Sequence, residues 1–252
     1  MPSAAPTAHP PYALVVSGSP VGADTALIAR LAEDADFILA VDSGANALMA
    51  AGVTPHLLLG DFDSIDPKTL KEYNDKGVAL EAHNPHKDAT DIELALAAAL
   101  KRGYRSLVIT NALGGRLDHE LASLGCFAHT AQQGITVTVM EHHTTCLFLC
   151  APASISFAGC QGDGTVLTPL GCQNSTVPLT PGGKTRPSSY HDISTVSLLP
   201  WDGPATVSIS GVAWPLDHAT LSSAHSLGVS NVPTSPHVTI TVHQGTIIAV
   251  LT

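Results

Sequence analysis

Carboxylates in this chain gather at a few points. Asp42 stands in VDSGAN, Asp61 and Asp63 in GDFDSID, and Asp88 and Asp91 in HKDATDIE with Lys87 beside them. Asp118 stands in GGRLDH with Gly114, Gly115, Arg116 and His119. Asp61 and Asp63 are two residues apart, so in extended backbone both side chains leave on one side. Such a pair suits Mg2+, a hard cation that prefers oxygen ligands. The same spacing suits a turn whose Asp side chains bond their own backbone. A second acidic group at a neighbouring strand end favours the metal. Gly114-Gly115-Arg116 reads either as a glycine turn or as an anion seat, with backbone N–H groups and a guanidinium facing a phosphate. Asp42 with Gly44, taken alone, reads as a strand-to-helix turn. Capping and the helix dipole account in part for Thr90, Asp91 and Glu93, and the dipole for Asp118. They do not account for Lys87 and Asp88.

These segments share a place in the pattern of elements. Short apolar runs predict strands over 12–17, 37–41, 57–59, 78–82, 106–110 and 135–140. Helical patterns lie between them, over 23–32, 45–51, 67–76, 91–102 and 117–132. This alternation means βαβ crossovers and a mostly parallel, Rossmann-like sheet. Asp66 before Pro67 signals a helix start, and Thr90 with Glu93 reads as a capping box. In open α/β sheets ligands bind outside the carboxyl ends of the strands. Each acidic segment follows a predicted strand, so segments from Asp42 to His119 are expected to converge.

Beyond Glu141 the pattern changes. Ser, Thr, Val, Gly and Pro dominate, and β-rich runs recur over 146–150, 154–157, 193–199, 205–210, 238–242 and 246–251. The last two are joined by Gln244-Gly245, which reads as a hairpin. An antiparallel sandwich or barrel is expected, with 161–190 a long loop or insertion. The implied division is an α/β domain over 1–140 and a β-sandwich domain over 141–252. Only Asp163, Asp192, Asp202 and Asp217 carry negative charge beyond Glu141. Chemistry that needs acids therefore belongs to the first half.

Whole-chain properties narrow the classes. At 252 residues and 44% apolar, the chain is globular and long enough for one or two domains. A net charge of −10 argues against nucleic acid or a polybasic membrane patch, and suits a metal or a cationic small molecule. Five Cys with no CxxC pair suit a reducing cytoplasm. The N-terminus lacks the basic region of a signal peptide. The uncharged stretch 142–162 is broken by Pro152 and Gly159, so no membrane helix is expected there. PGGKT, from Pro181, lacks the first glycine of a phosphate loop. His83, His86, His142 and His143 lack zinc-site spacing.

In their order and spacing, VDSGAN, GDFDSID, KDATDIE and GGRLDH resemble the thiamine pyrophosphokinase family. ISTVSLLP, GVAWPL, LGVSN and the closing β-runs extend the resemblance over nearly the whole chain. It implies an α/β domain followed by an antiparallel β-sandwich, and a homodimer with active sites shared between subunits. It implies Mg2+-dependent transfer of pyrophosphate from ATP to thiamine, releasing AMP. Catalytic roles fall on Asp42, Asp61, Asp63 and Asp91, with Asp61, Asp63 and Asp91 holding the metal. Lys87, Asp88, Gly114, Gly115, Arg116, Asp118 and His119 are the candidates for ATP, and Trp214, Ser230 and Asn231 for thiamine. Two positions depart from the family pattern: Ser43, where glycine is usual, and Gly228-Val229 ahead of Ser230. Spacing alone would turn Trp214, between Val212 and Leu216, toward the core; the resemblance implies an exposed ring stacked on thiamine. The alternatives are a pterin pyrophosphokinase, a metal-dependent phosphohydrolase using the same acids, or a nucleotide- or thiamine-binding regulator without turnover.

Overall fold

The computed structural model of the chain describes residues 10–19, 21–83, 89–158 and 193–252. Lys87, Asp88 and the segment 161–190 lie outside the described residues. The chain divides into two units, one over Pro11–Phe148 and one containing Leu149–Thr252.

Apolar runs without an exposed position form the centre of the first unit. β1 (Ala13–Val16), β3 (Leu57–Gly60) and β5 (Ser106–Thr110) are buried at every residue, as expected of parallel strands covered on both faces. With β2 (Phe37–Val41), β4 (Ala79–Ala82), β6 (Thr136–Met140) and β7 (Thr145–Cys150), they form a sheet in the order β7-β6-β5-β1-β2-β3-β4. All pairs are parallel except β6 with β7. The run at 146–150, grouped by composition with the second half, thus pairs with β6 through Thr145–Leu147.

The connecting helices are α1 (Thr25–Glu33), α2 (Gly44–Ala50), α3 (Pro67–Asp75), α4 (Asp91–Lys101) and α5 (Leu117–Gln132). Their starts follow local chemistry. Asp24, Asp66 and Thr90 each accept a hydrogen bond from the first turn of α1, α3 and α4, and Pro67 opens α3. α1 buries Leu27, Ile28 and Leu31 on one stripe; Leu31→Ala there would cost about 2–5 kcal/mol. The chain begins at the sheet centre with β1, lays β2 to β4 on one side, and returns through α4 to β5 on the other. The order therefore reverses between β1 and β5, where such sheets open a crevice.

The second unit is antiparallel. β8 (Ala153–Ala158), β9 (Val196–Ser210), β10 (Leu216–Leu221) and β11 (His237–Leu251) lie in the order β8-β11-β9-β10. Val238, Ile240 and Val242 are buried while Thr239 and Thr241 alternate with them, the pattern of a half-buried strand. The runs 238–242 and 246–251 do not form a hairpin. They are one strand, and 193–199 and 205–210 likewise contribute to one strand, β9. Register shifts at Gln244 absorb Gln244-Gly245 as an irregularity in the ladder. Such bulges bend a strand and raise its twist without reversing it. β10 lacks apolar alternation, with Asp217, His218 and Thr220 exposed, and composition gave no sign of it.

Candidate active site

Asp42 follows the last residue of β2 and holds a left-handed backbone, φ 44°. Its N–H donates to the Leu59 carbonyl at 3.0 Å, and its Oδ1 accepts from the Asp61 N–H at 3.1 Å. The ends of β2 and β3 are thereby tied through one carboxylate. Gly60 makes this possible: at φ +144°, a Cβ there would lie 1.6 Å from Asp42 Oδ1. Ser43 has φ −61°, an ordinary helical value, so serine in place of glycine does not restrict the backbone.

The Asp61 Oδ1 accepts from the Asp63 N–H at 3.1 Å. The turn in which an Asp bonds its own backbone is therefore present, and it coexists with an acidic cluster. Burial and the charges of Asp91 and Asp61 push Asp42 up to about 6, against opposing bonds from the Phe62 and Asp61 N–H groups. A hydrogen bond with Asp61, then the charge of Asp61, burial and the charge of Asp91 push Asp63 up. Four carboxylates from the ends of β2 and β3 and the first turn of α4 thus share one region. Among the described residues, no group of three or more His, Cys, Asp or Glu side chains is arranged to hold a metal ion.

The pattern of acids did not reveal Asn46 on α2. Its Oδ1 accepts from the Asp66 N–H at 3.0 Å and its Nδ2 donates to the Ser64 carbonyl at 3.3 Å. It thus secures the far end of the loop bearing Asp61 and Asp63. The only local signal is an Asn inside a helix, where Asn is a modest former.

At the β1–β5 crevice, buried Asn111 donates from Nδ2 to the Ser17 carbonyl at 2.6 Å. The Ser19 hydroxyl donates to the Leu113 carbonyl at 2.6 Å. Gly114, Gly115, Arg116, Asp118 and His119 follow, all exposed. The Gly115 N–H donates to the Glu120 carboxylate, and Arg116 pairs with Asp118 at 2.6 Å. The bond to Arg116 holds Asp118 below the ordinary carboxylate range. Donors expected to face an anion are here met by carboxylates of α5.

In the second unit Trp214 is 63% exposed, so the core placement suggested by spacing does not hold. Ser230 is exposed at φ 57°, and its N–H donates to the Ser197 hydroxyl at 2.9 Å. Asn231 is 4% exposed. Its Oδ1 accepts from the N–H groups of Trp214 and Val232, each at 3.0 Å, and its Nδ2 donates to the Trp214 carbonyl at 2.6 Å. Of the trio assigned to thiamine, Trp214 and Ser230 face solvent, while Asn231 is bound to backbone.

A doubly wound parallel sheet with carboxylates at its carboxyl edge, followed by an antiparallel β unit, defines an α/β protein with an appended β domain. The model of the thiamin pyrophosphokinase catalytic domain matches residues 28–139, and that of the vitamin B1 binding domain matches 186–247. The chain belongs to the thiamine pyrophosphokinase family. It is 31% identical over 103 residues to thiamine pyrophosphokinase of Bacillus subtilis, covering 41% of this chain and 48% of that protein. It is 29% identical over 93 residues to thiamin pyrophosphokinase 1 of Caenorhabditis elegans, covering 34% and 36%. These alignments span about half or less of the relatives' lengths. The crystal structure of the Bacillus subtilis enzyme matches with a TM-score of 0.74 at 19% identity, over 96% of this chain and 98% of that one. Thiamin pyrophosphokinase from Candida albicans matches at 0.72 and 17% identity, over 95% and 89%. These structures share the fold. Among the described residues, no helix is long and apolar enough to cross a membrane.

Proposed function

We propose that this chain transfers the pyrophosphoryl group of ATP to the primary hydroxyl of thiamine, forming thiamine diphosphate and AMP with Mg2+. The observation that carries this reading is the gathering of acids at one sheet edge, where Asp42 Oδ1 takes the Asp61 N–H, Asp61 Oδ1 takes the Asp63 N–H and Asp91 opens α4, in a member of this family. Mg2+ is commonly bound through one or two carboxylates, with substrate phosphates and water completing its shell. Asp61 and Asp63, with Asp91 near them, fit that donor chemistry without a preformed cage. When bound, the ion neutralises charge on the triphosphate.

The protein's own share is positioning and charge. The thiamine hydroxyl oxygen bonds to the β-phosphorus, and the bond from that phosphorus to the α,β-bridging oxygen breaks. AMP leaves with the bridging oxygen, and the hydroxyl proton passes to a carboxylate of the cluster, with Asp91 our candidate. Arg116 and Lys87 offset phosphate charge. Asp42 orients water or substrate. Trp214 stacks on thiamine, and Ser230 offers a hydroxyl beside it.

We read the active protein as a homodimer whose sites draw acids from one subunit and Trp214 from the other. The exposed apolar side chains Trp214, Leu227, Val229 and Val232 support an association surface on the second unit. The free thiols of Cys126, Cys146 and Cys150 are in keeping with a cytoplasmic setting.

The deciding experiment is incubation with Mg-ATP and thiamine, with AMP and thiamine diphosphate measured together. Equal amounts are expected. A pterin serving in place of thiamine would favour the pterin kinase. Phosphate release without an acceptor would favour a hydrolase, and binding without turnover a regulator. Mixing Trp214→Ala with Asp61→Asn chains, with exchange confirmed, should restore part of the activity if sites are shared.

A further inference from the structure

Glu141 follows the last residue of β6, at the sheet edge that carries the acidic loops. Its carboxylate accepts three consecutive backbone N–H groups. Oε2 takes Asn111 at 3.1 Å, and Oε1 takes Ala112 at 2.8 Å and Leu113 at 3.2 Å. Burial pushes its carboxyl up, and these three bonds pull against that push. Glu141 is half-buried, and drawing a carboxyl group away from water is costly unless it is hydrogen-bonded. Here the partners are the loop that leads into Gly114-Gly115-Arg116.

The neighbouring residue reaches the opposite wall of the crevice. His142 Nδ1 contacts Asp24 Oδ2, and Asp24 Oδ1 accepts from the Leu27 N–H at 2.9 Å to cap α1. The Glu141 N–H donates to the Thr144 carbonyl at 2.8 Å, closing the turn between β6 and β7. Two adjacent residues on one turn therefore grip both loops that border the reversal between β1 and β5. No part of this arrangement follows from the acidic motifs.

We propose that Glu141 is a positioning residue for ATP: it fixes the 111–113 backbone that carries Gly114, Gly115 and Arg116, so that a triphosphate can take the Gly115 N–H and the Arg116 guanidinium from Glu120 and Asp118. The proposal rests on the reading of that loop as the ATP seat. It also means that the N–H groups of 111–113 are held by Glu141, so an anion on this loop must seat beyond Leu113, where it competes with Glu120 for the Gly115 N–H and with Asp118 for Arg116. Loss of the carboxylate would free those donors and loosen the loop without touching the thiamine residues.

The test uses the full chain as wild type, Glu141→Gln and Glu141→Asp. KM for Mg-ATP, KM for thiamine and kcat are measured, together with amide hydrogen exchange over 111–113. Glutamine keeps one acceptor oxygen and turns an NH2 toward N–H donors. KM for Mg-ATP is expected to rise about tenfold or more in Glu141→Gln, the scale of a lost hydrogen bond to a charged group. KM for thiamine should stay within about twofold, because lost contacts act locally, and the three amides should exchange faster. Glu141→Asp should fall between, since it retains both oxygens on a shorter arm. Faster exchange with unchanged KM for Mg-ATP would overturn the proposal. So would equal rises in both KM values, which mark a general structural loss. If Glu141→Gln does not fold, the Glu141→Asp values decide by the same criteria. Equilibrium dialysis of wild type with Mg-ATP separates the two levels. No binding there would overturn the ATP reading itself, whereas wild-type binding matched by Glu141→Gln would overturn only the role of Glu141.

Discussion

Asn231 clasps the peptide of Trp214: its carboxamide accepts from the Trp214 N–H at 3.0 Å and donates to the Trp214 carbonyl at 2.6 Å. A buried amide thereby sets where an exposed indole stands. Asn231→Ala would leave those groups, and the Val232 N–H, without that partner. Stability is expected to fall by about 1–3 kcal/mol, read as a lower urea midpoint. KM for thiamine should rise while KM for ATP does not. An unchanged midpoint would show that water replaces the amide at no cost.

Trp214→Ala should barely move the melting temperature, because the residue is already 63% exposed. Thiamine affinity should fall by about 1–3 kcal/mol, the scale of base stacking on an aromatic side chain. In a Trp201→Phe background the remaining indole reports directly, and thiamine should change its fluorescence. Loss of folding in Trp214→Ala would return the residue to a core role.

Asp61→Asn and Asp63→Asn remove a charge at nearly constant size. Turnover should drop by orders of magnitude while circular dichroism stays native, as for loss of an anionic ligand in phosphoryl transfer. Near wild-type rates at limiting Mg2+ in both variants would remove the metal assignment.

Asp42 gives a pH prediction. Its pKa is raised from 3.8 to about 6 in the folded chain, by burial and by Asp91 and Asp61. A raised carboxyl contributes stability that is full below the unfolded value and is lost as pH rises through the folded one. Metal-free Asp42→Asn should therefore melt higher than wild type at pH 7.5, with the gain shrinking toward pH 4. Asparagine also tolerates the left-handed backbone held there. Mg2+ with ATP should narrow the gap by stabilising wild type. A gain that does not depend on pH would mean that charge is not its cause.

Much of the first unit was legible because its signals are local. The alternation of apolar runs with helical patterns, Pro67 after Asp66, and the Thr90–Glu93 pair each act within a few residues. They define crossovers before any long-range contact forms. The parallel sheet then brings strand ends together, which is why acids from Asp42 to Asp91 come to influence one another.

Long-range relations were not legible. Gln244-Gly245 has the composition of a hairpin turn, yet its conformation is decided by β9, which pairs with β11 on both sides of it. A period of two places Trp214 on a face of a strand-like segment without saying whether that face meets core or solvent. Asn46, Glu141 and Asn231 act by bonding backbone 17 to 30 residues away. A side-chain amide or carboxylate that satisfies distant N–H groups leaves no periodicity, cap or turn signature behind.

The sequence by itself thus determined the two kinds of unit, their order along the chain, and which acids follow which strands, because periodicity and capping depend on neighbours in the chain. Only the tertiary structure decided the reversal between β1 and β5, the continuity of β9 and β11, and the polar clasps of Asn46, Glu141 and Asn231. Those depend on which backbone groups lack a partner once the strands are paired, and that is a property of the assembled sheet.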